Sequence, residues 1–380
     1  MRPSLKLSRR KAIYLSLGGV GFALASCTSP SPTPAPTTPA ASAKPDAMAK
    51  PDAMAKPDAM AKIANGKSVN LSGAGASFPA PLYQRWFADF NKKYSNVQIS
   101  YQSVGSGAGV KQFIAGTVDF GASDTAMKDE EIAKVTKGAV LIPATAGSIV
   151  IAFNIPNVKD LKLSREVYTN IFLGKITNWN DPAIAKLNEG TKLPDLPITV
   201  VSRSDGSGTT GVFTKHLSKI SADWKAGPGD GKSIQWPVGT GAKGNEGVTA
   251  QVQQTPGAIS YIEFGYAVQN KVAFATIENK AGKFIKADAE SGAKSLASIE
   301  LPANLIAFEP DPKGDGAYPI VSYSWLLLYN KYDDPAKAEA IKAMLEWAIT
   351  DGQKISPELG YIPLPEEVVT KIKPAIAQIS

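Results

Sequence analysis

Ile198-Thr-Val-Val201, Arg203-Ser-Asp-Gly-Ser-Gly-Thr-Thr210 and Gly211-Val-Phe-Thr-Lys-His-Leu217 follow one another as an apolar run, a glycine- and hydroxyl-rich loop, and a stretch of helical periodicity. Strand, loop and helix in that order aim unpaired backbone N–H groups and the positive end of a helix dipole at one point. Arg203 beside that point adds a planar fork of donors shaped for an oxyanion. The stretch reads as half of an anion site on an α/β scaffold.

The same unit recurs upstream. Val69-Asn-Leu-Ser72 reads as a strand, Gly73-Ala-Gly75 as a turn, and 81–93 as a helix with Leu82, Trp86, Phe87 and Phe90 on one face. Val97-Gln-Ile-Ser-Tyr101 alternates as a strand, the glycine loop 105–109 opens a helix carrying Val110, Phe113 and Ile114, and 117–121 is another short strand. This β-loop-α pattern predicts a mostly parallel sheet with its loops gathered at the strands' C-terminal ends. The apolar stretch 139–155, with Pro143 and Gly147 inside it, is where the chain is expected to leave a first domain. A second alternating region carries the Arg203 loop and a helix near 248–253. Tyr318 to Tyr329 then reads as a buried strand returning to the first domain, followed by helices at 335–349 and 366–376. A chain of 380 residues is too long for one core and typical of two domains.

The formal charge of +7 is misleading. Arg2, Lys6, Arg9, Arg10 and Lys11 precede residue 27, so 41 basic residues fall to 36 against 34 acids, or +2. A nearly neutral body offers no electrostatic case for nucleic acid, which would need a clustered basic face, so no nucleic-acid partner is expected. The basic start, the apolar run 12–25 and Leu24-Ala-Ser-Cys27 mark residues 1–26 as an export signal, too short for a comfortable transmembrane helix. Cys27 is the only cysteine, which removes disulfide and cysteine–metal readings. Leu-Ala-Ser-Cys resembles a bacterial lipobox, so Cys27 is the expected lipidation site; the alternative is a plain secretory signal with an incidental cysteine. Residues 27–66, with three copies of Ala-Lys-Pro-Asp-Ala-Met at 43–60, bury nothing and read as a tether between a lipid anchor and a folded part starting near Lys67.

Three loops precede helix starts: Gly75-Ala-Ser77-Phe78-Pro79, Gly105-Ser106-Gly107 and Gly206-Ser207-Gly208-Thr209. Taken singly, each is a helix N-cap. Taken together on one rim they form one anion site, and the sequence leaves both readings open. Asp124 is expected on the same rim. A carboxylate there admits an anion that brings a proton, as phosphate does near neutral pH, and penalises sulfate by about 1–3 kcal/mol; alternatively it caps a helix beginning near Lys128. Two GxGxxG matches, 206–211 and 239–244, lack the strand and ribose-binding acid of a dinucleotide site. Catalysis is poorly supported: no HExxH, GxSxG or Cys/His cluster occurs, and the lone histidine, His216, reads as a surface or boundary residue. The scattered tryptophans read as core packing.

Gly73-Ala-Gly-Ala-Ser-Phe-Pro-Ala-Pro-Leu-Tyr83, Tyr101-Gln-Ser-Val-Gly-Ser-Gly-Ala-Gly109, Asp119-Phe-Gly-Ala-Ser-Asp124 and Ser204-Asp-Gly-Ser-Gly-Thr209 resemble the phosphate-binding proteins of the bacterial high-affinity phosphate ABC importer. So do Ile171–Pro182, Gly241-Ala-Lys-Gly-Asn-Glu-Gly-Val248 and Thr255-Pro-Gly-Ala-Ile-Ser-Tyr261, and the resemblance spans about 68–375. It implies a two-lobed periplasmic-binding-protein fold, each lobe a mostly parallel sheet flanked by helices. Lobe I would be 67–146 plus 318–380, lobe II 147–317, with the ligand in a hinged cleft between them. It further implies phosphate contacts from Ser77, Phe78, Ser106, Arg203, Ser207, Gly208 and Thr209, with Asp124 accepting the phosphate proton and Asp205 holding Arg203. Ser77 stands where many relatives have Thr, which keeps the hydroxyl, and Ala108 replaces a frequent glycine. The implied protein is a monomeric, lipid-anchored receptor on the periplasmic face of the cell membrane, without cofactor or metal, that hands phosphate to a transmembrane permease. The alternatives are a phosphatase-like enzyme using Ser207 or Ser106 as nucleophile and a phosphate-dependent adhesin or signalling protein.

Overall fold

Alternating and β-branched runs form the strands of the computed structural model, which describes residues 63–380. The leader, Cys27 and the three repeats lie outside the described residues. The packed chain starts ahead of Lys67: Ile63 and Ala64 are buried, and the Ala64 N–H donates to Glu339 Oε1 at 2.9 Å. A single apolar side chain does this, too short a signal to stand out from the polar repeat before it.

The strands are β1 (Val69–Gly75), β2 (Val97–Ser103), β3 (Phe120–Ser123), β4 (Ala139–Phe153), β5 (Lys162–Leu163), β6 (Thr199–Arg203), β7 (Thr240–Ala242), β8 (Ala258–Glu263), β9 (Ala273–Phe274), β10 (Thr276–Glu278), β11 (Phe284–Ile285) and β12 (Val321–Tyr329). The main sheet runs β2-β1-β3-β12-β4-β8-β6-β7, with β9 also against β4, and β11-β10-β5 form a small second sheet. The expected parallel pairing holds at both ends, for β2-β1-β3 and for β8-β6-β7. The centre differs: β12 is antiparallel to both β3 and β4, and β4 is antiparallel to β8.

β4 explains this arrangement. The apolar stretch read as an exit from the first domain is one strand of 15 residues, buried beyond its first two. Its first part, to Ser148, pairs with β12, and Ile149 to Phe153 pair with β8, so a single strand belongs to both halves of the sheet. Pro143 has no N–H for a ladder. The register shifts there: Ser324 faces Thr145 while Trp325 faces Pro143, leaving Ala144 as the extra residue of a bulge.

Helices Ala80–Lys93, Ser106–Ile114, Gly208–Ile220 and Gly244–Gln254 follow β1, β2, β6 and β7 directly. Trp86, Trp179, Trp224 and Trp325 are fully buried, as core packing requires. His216 departs from expectation. It is 0 % exposed, one ring nitrogen meeting Tyr168 Oη at 2.7 Å and the other the Pro310 carbonyl at 2.6 Å. Tertiary partners over 40 residues away in sequence satisfy a ring that local context alone would leave at the boundary.

Candidate functional site

Every strand-to-helix junction at the C-terminal ends of β1, β2, β3, β6 and β7 contributes to one buried locus. Ser77, Phe78, Ser106, Asp124, Arg203, Ser207 and Thr209 are all buried. The contacts between them are direct. Thr209 Oγ1 lies 3.5 Å from Asp124 Oδ2 and 3.4 Å from Arg203 Nη1; Ser106 Oγ lies 3.5 Å from the same Asp124 oxygen. A Cβ at Gly208 would collide with Ser106 Oγ and Asp124 Oδ2, so only glycine lets the second half of the sheet come this close to the first. The Gly107 N–H donates to the Gly206 carbonyl at 2.7 Å, joining the two loops edge to edge.

Helix capping accounts for one of the three loops. Ser207 Oγ accepts from the Thr210 N–H at 3.0 Å and is a true N-cap. The helix after Ser77 is capped by Pro79 with no side-chain bond, and Ser106 lies inside its helix behind Gly105, whose φ of 88° favours glycine. Asp124 caps nothing; Lys128 stands at the N-cap of Asp129–Ile132. Among the described residues the N–H groups of Ser77, Phe78, Ser106, Gly208 and Thr209 have no acceptor, whereas the Ser207 N–H is held by the Lys232 carbonyl at 2.8 Å. Ser207 therefore offers a site its hydroxyl proton alone. The Ser77 and Phe78 loop is fixed from behind, its carbonyls accepting from Tyr266 Oη at 2.7 Å and Tyr361 Oη at 2.8 Å.

Arg203 is clamped. Its Nε donates to Asp205 Oδ1 at 2.8 Å and its Nη2 to Oδ2 at 2.6 Å, while Asp205 Oδ1 also accepts the Gly244 N–H at 3.0 Å. Burial alone would raise the Asp205 carboxyl, but the Arg203 hydrogen bond and charge outweigh it and hold Asp205 below the usual range. The fork thus keeps Nη1 for the locus, and the pair adds no net charge. Burial pushes Asp124 up to about 6, against the opposing Ser324 hydrogen bond and Arg203 charge. The locus offers oriented donors and one tuned carboxylate rather than a pool of positive charge, and such preorganised dipoles hold an anion well out of water.

Two contributors escaped the sequence reading. Asn245 donates from its backbone N–H and its Nδ2 to Ser77 Oγ, both at 3.0 Å, and from Nδ2 to Thr209 Oγ1 at 3.2 Å. Its Oδ1 accepts the Glu263 N–H at 3.0 Å. It sits at the start of the helix after Gly239–Gly244, a fourth glycine-rich loop before a helix; set aside as a false dinucleotide motif, that loop carries the same signal as the other three. Ser324, which donates to Asp124 Oδ1 at 2.8 Å, has no such local mark. Both ring nitrogens of His216 are already engaged, and among the described residues no His/Cys/Asp/Glu group could hold a metal.

Comparison with known proteins agrees with this architecture. Residues 35–352 match the family described as the PBP superfamily domain. The phosphate-binding protein PstS of Pasteurella multocida is 46% identical over 311 residues, covering 81% of this chain and 90% of that protein. PstS of Haemophilus influenzae is 45% identical over 309 residues, with 80% and 91% covered. PstS of Methanocaldococcus jannaschii is 40% identical over 328 residues, with 79% and 84% covered. A high-affinity periplasmic phosphate-binding protein solved with phosphate bound shares the fold, with a TM-score of 0.67 at 20% identity over 80% of this chain and 93% of that one.

Proposed function

This chain belongs to the PstS phosphate-binding proteins of the PBP superfamily, and we propose that it captures inorganic phosphate outside the cell membrane and delivers it to an ABC permease. One observation carries the reading: five backbone N–H groups with no acceptor among the described residues, the Arg203 Nη1 that Asp205 leaves unclamped and the Asp124 carboxylate meet at one buried point. Ser77, Phe78, Ser106, Arg203, Ser207, Gly208 and Thr209 donate to the anion. Asp124 accepts its proton, which sulfate cannot offer.

The donors divide between two lobes, 67–146 with 318–380 and 147–317, that share β4. Contacts from both lobes exist together only when the cleft is shut, so phosphate biases the closed state and release follows opening. Binding rather than turnover fits the site better: the carboxylate beside Ser106, Asp124, serves as acceptor for the anion's own proton, and the ring of His216 is engaged elsewhere by Tyr168 and Pro310. The chain works as a monomer. No helix among the described residues is long and apolar enough to cross a membrane. Attachment falls to a lipid on Cys27, with 27–66 as the tether. Cys27→Ser should move the protein from the membrane fraction to the soluble one; unchanged sedimentation with membranes would end the anchor reading.

Isothermal calorimetry on purified protein tests the core of the proposal. Phosphate should bind tightly and a large sulfate excess should barely compete. Equal competition by sulfate would remove the selective role of Asp124, and an absence of phosphate heat would overturn the function itself.

A further inference from the structure

β12 carries Ser322 and Ser324 past Asp124 on the side away from the donor loops. Ser322 Oγ donates to the Asp124 carbonyl at 3.2 Å, and Ser324 Oγ donates to Asp124 Oδ1 at 2.8 Å. Ser324 lies at the register shift opposite Pro143, and bulges of this kind re-aim a side chain. Behind it stands Tyr83, whose buried hydroxyl has no hydrogen-bond partner of its own and faces both Ser324 and Asp124. The second carboxyl oxygen, Oδ2, meets only the 3.5 Å contacts of Ser106 and Thr209 and the space left by Gly208. One oxygen is firmly bonded from behind; the other is open toward the donor loops.

We propose that Ser324 is a positioning residue for anion selection: its hydroxyl engages Asp124 Oδ1, turns Oδ2 toward the bound anion, and keeps the carboxylate an acceptor. The inference rests on the reading of this locus as a site for protonated phosphate. A buried carboxyl without donors favours its neutral form. A neutral Asp124 carries a proton of its own to donate, and the barrier to an unprotonated anion such as sulfate falls. Arg203 and Lys232 are the cations facing Asp124 and favour its charged form. Tyr83, Tyr101, Tyr266 and Tyr361 also face it, all raised above the ordinary phenol range by burial, as does Glu263, a buried acid raised well above the carboxylate range. The Asp124→Asn variant separates their titration from that of Asp124.

Calorimetric affinities for phosphate and sulfate, measured from about pH 5 to about pH 8 on the unsubstituted protein, Ser324→Ala, Ser324→Thr and Asp124→Asn, test this. Sulfate binding to the unsubstituted protein should weaken about tenfold per pH unit above the ionisation of Asp124. Ser324→Ala should displace that sulfate curve about one unit toward alkaline pH, so that sulfate binds roughly tenfold tighter near neutrality. Ser324→Thr should restore the original curve, and Asp124→Asn should abolish the pH dependence. Superimposed sulfate curves for Ser324→Ala and the unsubstituted protein, with phosphate still bound, would sink the role of Ser324 alone. A Ser324→Ala protein that loses phosphate and sulfate in equal measure at every pH would also overturn it, as a merely structural residue. No phosphate binding by the unsubstituted protein would instead remove the reading on which the inference stands.

Discussion

Asp124 and Glu263 are both fully buried acids, and the charge of the first raises the ionisation of the second, yet they are furnished in opposite ways. Asp124 receives Ser324, Ser106 and Thr209 and feels the Arg203 charge. Glu263 ends β8 behind the Ser77 and Phe78 loop, and neither of its carboxyl oxygens has a hydrogen-bond partner. The N–H groups of Gly265 and Tyr266 and the Tyr361 hydroxyl, which donates to the Phe78 carbonyl, lie near it and oppose the effect of burial but fall short of bonding geometry. Burial, the largest influence on both, pushes Glu263 well above the usual carboxylate range and Asp124 up to about 6, the rise at Asp124 being opposed by the Ser324 hydrogen bond and the Arg203 charge. The pair shows how far burial favours the uncharged form of a carboxyl, and how well-placed donors and a nearby cation oppose it. One acid stands among the donor loops of the proposed site; the other is a polar filler at the seam between the halves of the sheet.

The hardest blow to this contrast should come from the charge that Asp124 feels and Glu263 feels little. Arg203→Ala should weaken phosphate binding by about 3–5 kcal/mol, since it strips a desolvated anion of its counter-charge and strands Asp205. Calorimetry returning the parent affinity would place Arg203 outside the site. A smaller effect should come from Glu263, measured as thermal stability of the ligand-free protein against pH. Its folded-state ionisation is raised, so the native state holds a proton that the unfolded chain releases above about pH 4.5. Stability should therefore be fullest below that pH and fall as pH climbs toward the raised folded-state value, by at most ~1.4 kcal/mol per unit. Glu263→Gln should flatten that slope. An unchanged slope would mean Glu263 is ionised in the fold. Smallest of all should be the effect of Glu263→Gln on phosphate affinity near neutral pH, within about 0.5 kcal/mol, because burial favours the uncharged form of Glu263 and an amide keeps its shape. A loss as large as that of Arg203→Ala would erase the distinction between the two acids.

Much of the site was legible because its logic is local. A strand, a glycine-bearing loop and a helix start within ten residues orient N–H groups wherever they occur, and the sequence contains that unit at Ser77, Ser106 and Ser207. The clamp of Arg203 by Asp205 is equally local, at two residues' separation. The boundary at Ile63 and the antiparallel centre of the sheet were less legible, since a lone apolar residue and a long apolar run carry no pairing direction.

Composition, glycine placement and the order of the loops were enough to specify an α/β chain whose loops share one rim with an acid on it, and left open whether those loops cap helices or hold an anion. Tertiary structure alone decided which serine caps a helix, that His216 is enclosed, that Asn245 bridges Ser77 and Thr209, and that Ser324 reaches Asp124 across 200 residues of chain. The physical reason is range: backbone donors are oriented by their own few neighbours, whereas the ionisation of a buried carboxyl depends on whichever distant side chains the fold delivers to it.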